Sequence, residues 1–142
     1  QLLFVKDSLL EDFKSVSGDL EKINKLSEKF NVHRLLNHHP YDLSGGEIQR
    51  AGFVKLLLLE PKILLLDEPT KGVDVGAKAQ IYEIMSELAA QGFGVIMISS
   101  EMPEVLGMAD TILVMKEGRV SKIFADATGV TQEQILEAAM NM

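Results

Sequence analysis

The sequence predicts an α/β fold built on parallel strands, and three observations carry that reading. Two apolar runs, Lys62 to Leu66 and Gly94 to Ser99, lack polar alternation, as strands buried on both faces of a parallel sheet do. A helix-patterned segment, about Val75 to Gln91, separates them, and strands alternating with helices imply parallel pairing. The stretch DLSGGEIQR at 42–50 reads as a glycine turn opening another helix just before the first strand.

The remaining elements follow from spacing. Leu9, Leu10, Phe13 and Val16, then Leu20, Ile23, Leu26 and Phe30, fall at helical intervals. Ser17-Gly18 separates them into two short helices. Their polar faces, Glu11, Asp12 and Lys14 on the first and Glu21, Lys22, Lys25 and Glu28 on the second, read as solvated surface. Residues 31–42 form a mixed segment ending in His38-His39-Pro40-Tyr41-Asp42. Adjacent histidines suit a metal, but no third ligand stands at a suitable spacing, so the segment reads as an exposed loop before a proline. His33 reads as structural. Ser44-Gly45-Gly46-Glu47 has the S-x-x-E form of a capping box, and the helix it opens runs to about Glu60, before Pro61. Asp74 is the expected N-cap of the helix starting at Val75. A short helix spans about Pro103 to Ala109. Thr111 to Met115, Glu117-Gly118 and Val120 to Phe124 read as a hairpin. Thr131 and Gln134 cap a last helix ending near Met140. No internal repeat or low-complexity segment is visible.

Bulk properties narrow the function. The chain has 142 residues, one domain's worth, with 46% hydrophobic and 25% charged residues, an ordinary globular balance. A net charge of -7 disfavours nucleic acid held on a basic surface. With no cysteine there is no disulfide framework and no thiolate site, which fits a reducing cytoplasm. The first residues, QLLFVKDSLLEDF, carry acids where a secretory signal needs an apolar core, and the run Leu56 to Leu59 is far too short to cross a bilayer.

Two features carry chemistry. Asp67 and Glu68 directly follow the first buried strand, and open α/β sheets bind ligands beyond the carboxyl ends of strands. Paired acids there can divide labour: the first holds a magnesium ion, usually through water, and the second polarises an attacking water. Pro69 fixes the backbone after them. Taken alone, the pair is equally a turn cap. Ser44, Gly45 and Gly46 stand at a helix N-terminus, where free N–H groups and the helix dipole favour a phosphate and glycines allow close approach. Taken alone, this reads better as a plain capping box with no ligand. It is the two features together, at this spacing, that point to a phosphate-handling site.

LSGGEIQR (43–50), ILLLDEPT (63–70), GVD (72–74) and the strand ending ISSE (98–101) resemble, in order and spacing, the nucleotide-binding domains of ABC transporters, over nearly the whole chain. Residues 1–74 resemble the ATPase subunits of energy-coupling factor importers, and residues 75–142 the second ATPase domain of ribose/galactose-type sugar importers. The resemblance implies a P-loop NTPase fold, with a helical subdomain carrying the signature at its end (1–45) and the C-terminal part of a RecA-like core (46–142). It implies ATP and Mg2+ as ligands. Leu43, Ser44, Gly45 and Gly46, with Glu47 and Gln49, would meet the γ-phosphate of ATP held by a second ABC domain. Asp67 would be the acid near magnesium, Glu68 the general base, and Asp74 part of the loop along the dimer interface. Transmembrane permease subunits would be the other partners, at the cytoplasmic face of the membrane.

The sequence departs from that family in two ways. No G-x-x-x-x-G-K-[ST] occurs, so the loop and lysine that cradle the β- and γ-phosphates are absent from these residues. The chain reads as the C-terminal part of a nucleotide-binding domain, inactive alone, whose strands Ile63 to Leu66 and Val95 to Ile98 expose an edge or a face, so that the chain self-associates or is held by another polypeptide. Gln1 falls near the family's Q-loop glutamine and is not assigned that role. Second, Ser100 stands where most active members place a histidine on the γ-phosphate. Serine there donates a hydrogen bond without charge, or only caps the next helix. Sugar-importer second domains share this serine, which implies a weaker ATP site on Glu68 and Ser100. The function the resemblance implies is an ATP-hydrolysing subunit of an ABC importer for sugar, vitamin or metal uptake, and two other functions compete with it. One is a non-enzymatic module. The other is an ABC ATPase of DNA repair or translation, which the acidic balance and the absence of heptads disfavour.

Overall fold

The computed structural model describes residues 3–140, which divide into two compact units, the first ending at Ile98 and the second beginning at Ser99. In the first unit the order is α1 (Leu9–Lys14), α2 (Leu20–Lys29), α3 (Gly45–Leu58), β1 (Ile63–Asp67), α4 (Val75–Ala90) and β2 (Gly94–Ile98), with single 3-10 turns at His33–Leu35 and Pro40–Asp42. The second contains α5 (Met102–Met108), β3 (Ile112–Lys116), β4 (Arg119–Phe124) and α6 (Gln132–Met140).

Each helix of the first unit begins where the sequence supplies a cap. Ser8, Asp19, Ser44 and Asp74 each accept a backbone N–H from the first turn. Helix α3 is the centre of the unit. Helices α1, α2 and α4 all pack on it, and its residues are buried on nearly every side. Phe13, Ile23, Val54 and Ile81 are fully buried in this core. Each contributes about 1.5–3 kcal/mol by leaving water.

Strands β1 and β2 pair in parallel, with Leu65 opposite Ile96 and Asp67 opposite Ile98. The expectation that both faces of these strands are buried is corrected. Leu64 and Leu66 are buried, but Ile63 and Leu65 are 64% and 63% exposed, and Ile96 and Ile98 are about half exposed. A strand's side chains alternate between faces, so one face of this two-stranded sheet is open, apolar except for Asp67 at its end. Face exposure was the other expectation for these strands, and it holds.

A second correction concerns Asp12. It is fully buried, not solvated. Its carboxylate accepts N–H groups from Val5 (3.2 Å) and Lys6 (3.1 Å) and pairs with the Lys55 ammonium at 2.8 Å. Lys55 also donates to the Leu3 carbonyl and lies over the Phe4 ring, 5.3 Å from its centroid. The segment before α1 is thereby tied to α3. Burial alone raises the pKa of Asp12, but the Lys55 hydrogen bond, the two backbone N–H groups and the Lys55 charge together outweigh it. The net result is a pKa below the ordinary 3.8.

In the second unit, β3 and β4 form an antiparallel hairpin turning at Glu117-Gly118, both at positive φ (49° and 76°), as tight hairpin turns require. Ile112, Val114, Ala127, Ile135 and Ala138 form its core, with α5 and α6 supplying partners. Thr131 and Gln134 exchange hydrogen bonds as a capping box before α6.

Because the Asp12–Lys55 pair is buried, removing one partner strands a charge. Lys55→Met is expected to lower unfolding stability by about 3–5 kcal/mol in urea titration, and the double change Asp12→Leu/Lys55→Met to recover most of it. The pH dependence has a definite sign. A depressed folded pKa gives stability that is present above 3.8 and lost as pH falls through the folded value, so acid unfolding of the wild type should be steeper there than that of the double variant.

Candidate functional site

The glycine loop is locked onto the chain that follows β1. A Cβ on Gly45 would lie 3.0 Å from the Gly72 carbonyl oxygen, and one on Gly46 only 2.6 Å from Ala77 Cβ. Real Cβ atoms do not approach that closely, so Gly46 is there because the backbone of α3 meets the first turn of α4. The same contact brings Ser44-Gly45-Gly46 beside Gly72 and Val73, next to Asp74. Asp74 Oδ1 accepts the Ala77 N–H at 3.0 Å, so its carboxylate caps α4 and fixes this turn. One turn further along α3, Arg50 is buried and donates to Gln80 Oε1 at 2.8 Å, a second link between α3 and α4.

At the N-terminus of α3 both halves of the capping box are present. Ser44 and Gly45 are exposed, and Gly46 is buried. The Ser44 N–H donates to Glu47 Oε2 at 3.0 Å, the Ser44 hydroxyl lies 2.9 Å from the same oxygen, and the Glu47 N–H donates to Ser44 Oγ at 3.4 Å. Glu47 Oε1 takes Arg34 Nη2 at 3.2 Å. The Ser44 N–H and hydroxyl, then burial acting against them, then Arg34, leave the Glu47 carboxyl below its ordinary pKa.

The strand-end acids sit where the strand stops. Asp67 is the last residue of β1, exposed, on the face shared with Ile63 and Leu65. Glu68 follows at φ 47°, a left-handed conformation uncommon for a residue with a side chain. Its N–H still donates to the Ile98 carbonyl at 2.8 Å, which keeps the acid at the edge of the ladder. Behind it, Lys71 N–H returns to the Glu68 carbonyl, and Thr70 is buried. A cavity of about 120 Å³ between α3 and β1 is lined by Gln49, Asp67, Pro69 and Leu3. The structure therefore puts Gln49 and Asp67 on one cavity, and Ser44, Gly45 and Gly46 beside the turn that leads to Asp74.

Leu43 is half-buried and closes the 3-10 turn before the helix, its N–H donating to the Pro40 carbonyl. Ser100 belongs to the second unit, where it is exposed. The residue before it, Ser99, contacts the buried Glu104 carboxylate and accepts the Glu101 N–H. Gln1 lies outside the described residues. His39 Nδ1 accepts the Tyr41 N–H, and the two rings stack 5.2 Å apart. Among the described residues no three His, Asp or Glu side chains gather as a metal site. Magnesium on Asp67 suits the chemistry of an exposed carboxylate, since this ion takes one or two carboxylates plus water and substrate phosphates.

Sequence reasoning missed Arg34, Arg50 and Gln80. Arg34 lies 13 residues before Glu47 and Arg50 lies 30 before Gln80, and no local pattern marks either pair.

A sequence profile described as "ABC transporter" matches residues 4–71. The xylose import ATP-binding protein XylG of Photobacterium profundum is 43% identical over 139 residues, which is 97% of this chain and 26% of that protein. XylG of Burkholderia cenocepacia is 54% identical over 128 residues, 87% of this chain and 24% of that one. The ribose import ATP-binding protein RbsA of Geobacillus kaustophilus is 58% identical over 97 residues, 68% of this chain and 19% of that protein. The chain thus spans about a quarter or less of these relatives. Among solved structures, MJ1267, an ATP-binding cassette of an ABC transporter, is 25% identical with a TM-score of 0.75, over 86% of this chain and half of that one. An ATP-binding subunit of an ABC transporter, 20% identical, has a TM-score of 0.79 over 97% of this chain and 65% of its own, a likeness of fold.

The steric lock at Gly46 is open to a direct check. Gly46→Ala is expected to destabilise the chain by about 1–3 kcal/mol through overpacking against Ala77. Gly107→Ala in α5, where a Cβ meets nothing within 4 Å, should be neutral or stabilising by about 0.5–1 kcal/mol. Denaturant melts of the two variants read the contrast.

Proposed function

Because this chain belongs to the family of ABC transporter ATP-binding domains, we propose that it serves as part of the ATP-hydrolysing subunit of an importer, with sugar uptake the best-supported process. The observation that carries the proposal is the capped, glycine-opened N-terminus of α3 held against the Gly72–Asp74 turn, with Asp67 and Glu68 ending β1 in the same unit. On this reading Leu43, Ser44, Gly45 and Gly46, with Glu47 and Gln49, present N–H and hydroxyl donors to the γ-phosphate of a nucleotide held by a second ABC domain. Asp67 holds magnesium, which when bound neutralises phosphate charge. Glu68 accepts a proton from the attacking water, and Ser100 adds a neutral hydrogen bond. Asp74 runs along the dimer interface. Residues 1–45 are the helical subdomain that docks on the permease subunits, and residues 46–142 belong to the ATPase core. The protein then works at the cytoplasmic face of the membrane.

Two half-sites result, and neither holds a G-x-x-x-x-G-K-[ST] cradle. The 142 residues alone are accordingly expected to bind ATP weakly and to turn it over only when other residues supply that cradle. Comparing ATPase rates of the assembled importer tests the division of labour. Gly46→Asp forces a carboxylate into the close contact between the start of α3 and Ala77, beside the loop that would meet the partner's phosphate, and should abolish turnover. Glu68→Gln should reduce it less, because Ser100 marks its site as the weaker one. Equal losses would sink the asymmetry.

The open apolar face of β1 and β2 supports self-association of the chain by itself. Light scattering should show mass rising with concentration, and Leu65→Lys with Ile96→Lys should return a monomer. A monomer at high concentration for the unaltered chain would remove this part of the proposal.

A further inference from the structure

Two of the donors assigned above to a partner's phosphate, those of Ser44, are already engaged. Both the N–H and the hydroxyl of Ser44 face Glu47 Oε2, at 3.0 and 2.9 Å. An anion reaching the N-terminus of α3 therefore meets a carboxylate of its own charge sign on the donors it needs. The other carboxylate oxygen takes Arg34 Nη2 at 3.2 Å. Arg34 comes from the separate 3-10 turn His33–Leu35, and its side chain is 70% exposed.

A capping box is complete without a third partner, so the fold does not require Arg34 there. Nor does stability account for it, since an ion pair this exposed contributes little. What the guanidinium does supply is local: it offsets the carboxylate's charge beside the loop, and it gives Glu47 a partner that is not Ser44. A guanidinium binds carboxylates through a planar fork of donors, so it can take both oxygens if the carboxylate turns away from the serine.

We infer that Arg34 is a positioning residue for the signature loop: it holds Glu47 so that the N–H and hydroxyl of Ser44 can pass from the Glu47 carboxylate to a phosphoryl oxygen of the partner's nucleotide. Glu47 then works as an internal occupant of the anion site, keeping its donors paired until the dimer closes, and Arg34 is its receiver. The inference rests on the reading of the α3 N-terminus as a phosphate site.

A double-mutant cycle on the ATPase of the assembled importer tests it, with KM and kcat read separately. With Glu at position 47, Arg34→Ala should raise KM for ATP about tenfold and leave kcat within about twofold, as expected for losing one charge-assisted contact that acts on binding. With Glu47→Gln already in place, the same Arg34→Ala change should alter KM by less than about twofold, because no charge remains to be held. Arg34→Lys, which keeps the charge and loses the fork, should fall between. A tenfold rise in KM in both backgrounds would mean that Arg34 acts without Glu47 and would overturn the inference, as would no rise in either. Arg34→Ala is checked by its melting curve, and if it unfolds, Arg34→Lys and Arg34→Gln carry the cycle. Ser44→Asp in the same assay separates the two levels, since Asp still caps α3 but sets a carboxylate on the exposed loop: full activity in that variant would defeat the phosphate-site reading itself, whereas an inactive, folded Ser44→Asp with a silent Arg34→Ala would defeat this inference alone.

Discussion

At Gly46 the backbone of α3 comes so near the first turn of α4 that no side chain fits between them. That approach fixes the distance between two helices whose N-termini both belong to the candidate site. It sets Ser44 and Gly45 beside the Gly72–Asp74 turn, which in turn leads back through Thr70 to the acids ending β1. Arg50 and Gln80 add a polar clamp one turn further along. The loop that opens α3 and the loop that opens α4 thus form a single packed block. Changes at one are transmitted to the other by contact, because packed interiors resist small displacements.

The opposite end of α3 is secured differently. Lys55 and Asp12 form a buried ion pair that also collects two N–H groups from the segment before α1. One helix is therefore fastened by steric contact near its start and by electrostatics near its end. The two fastenings respond to different conditions. Acid weakens the second and leaves the first untouched.

What the sequence disclosed follows how local each cause is. The capping box at Ser44, the N-cap at Asp74, the strands and the hairpin turn at Glu117-Gly118 arise from neighbours within a few residues, and all were readable. The burial of Asp12 was not, because helical periodicity assigns an acid to the solvent and its partner stands 43 residues away. The open face of β1 was readable only in part. An unbroken apolar run means burial on both sides if a full sheet surrounds it, and composition says nothing about which neighbours are present. For the candidate site, the residue types and their order were legible from LSGGE and LLLDEP. The Arg34–Glu47 contact was not, since nothing local distinguishes Arg34 from any other exposed arginine.

Glu68 holds a left-handed backbone immediately after a strand. Side chains along a strand point alternately to opposite faces, and a left-handed residue at its end breaks that alternation. The acid after Asp67 is thus released from the face that strict alternation would impose on it. The same φ filters what the position will accept. Asparagine, aspartate and glycine enter that region readily, whereas valine, isoleucine and threonine meet their own Cβ substituents. Any sequence drift at residue 68 is screened by backbone geometry before its chemistry is tried, and the alternatives that survive are short, polar or absent side chains.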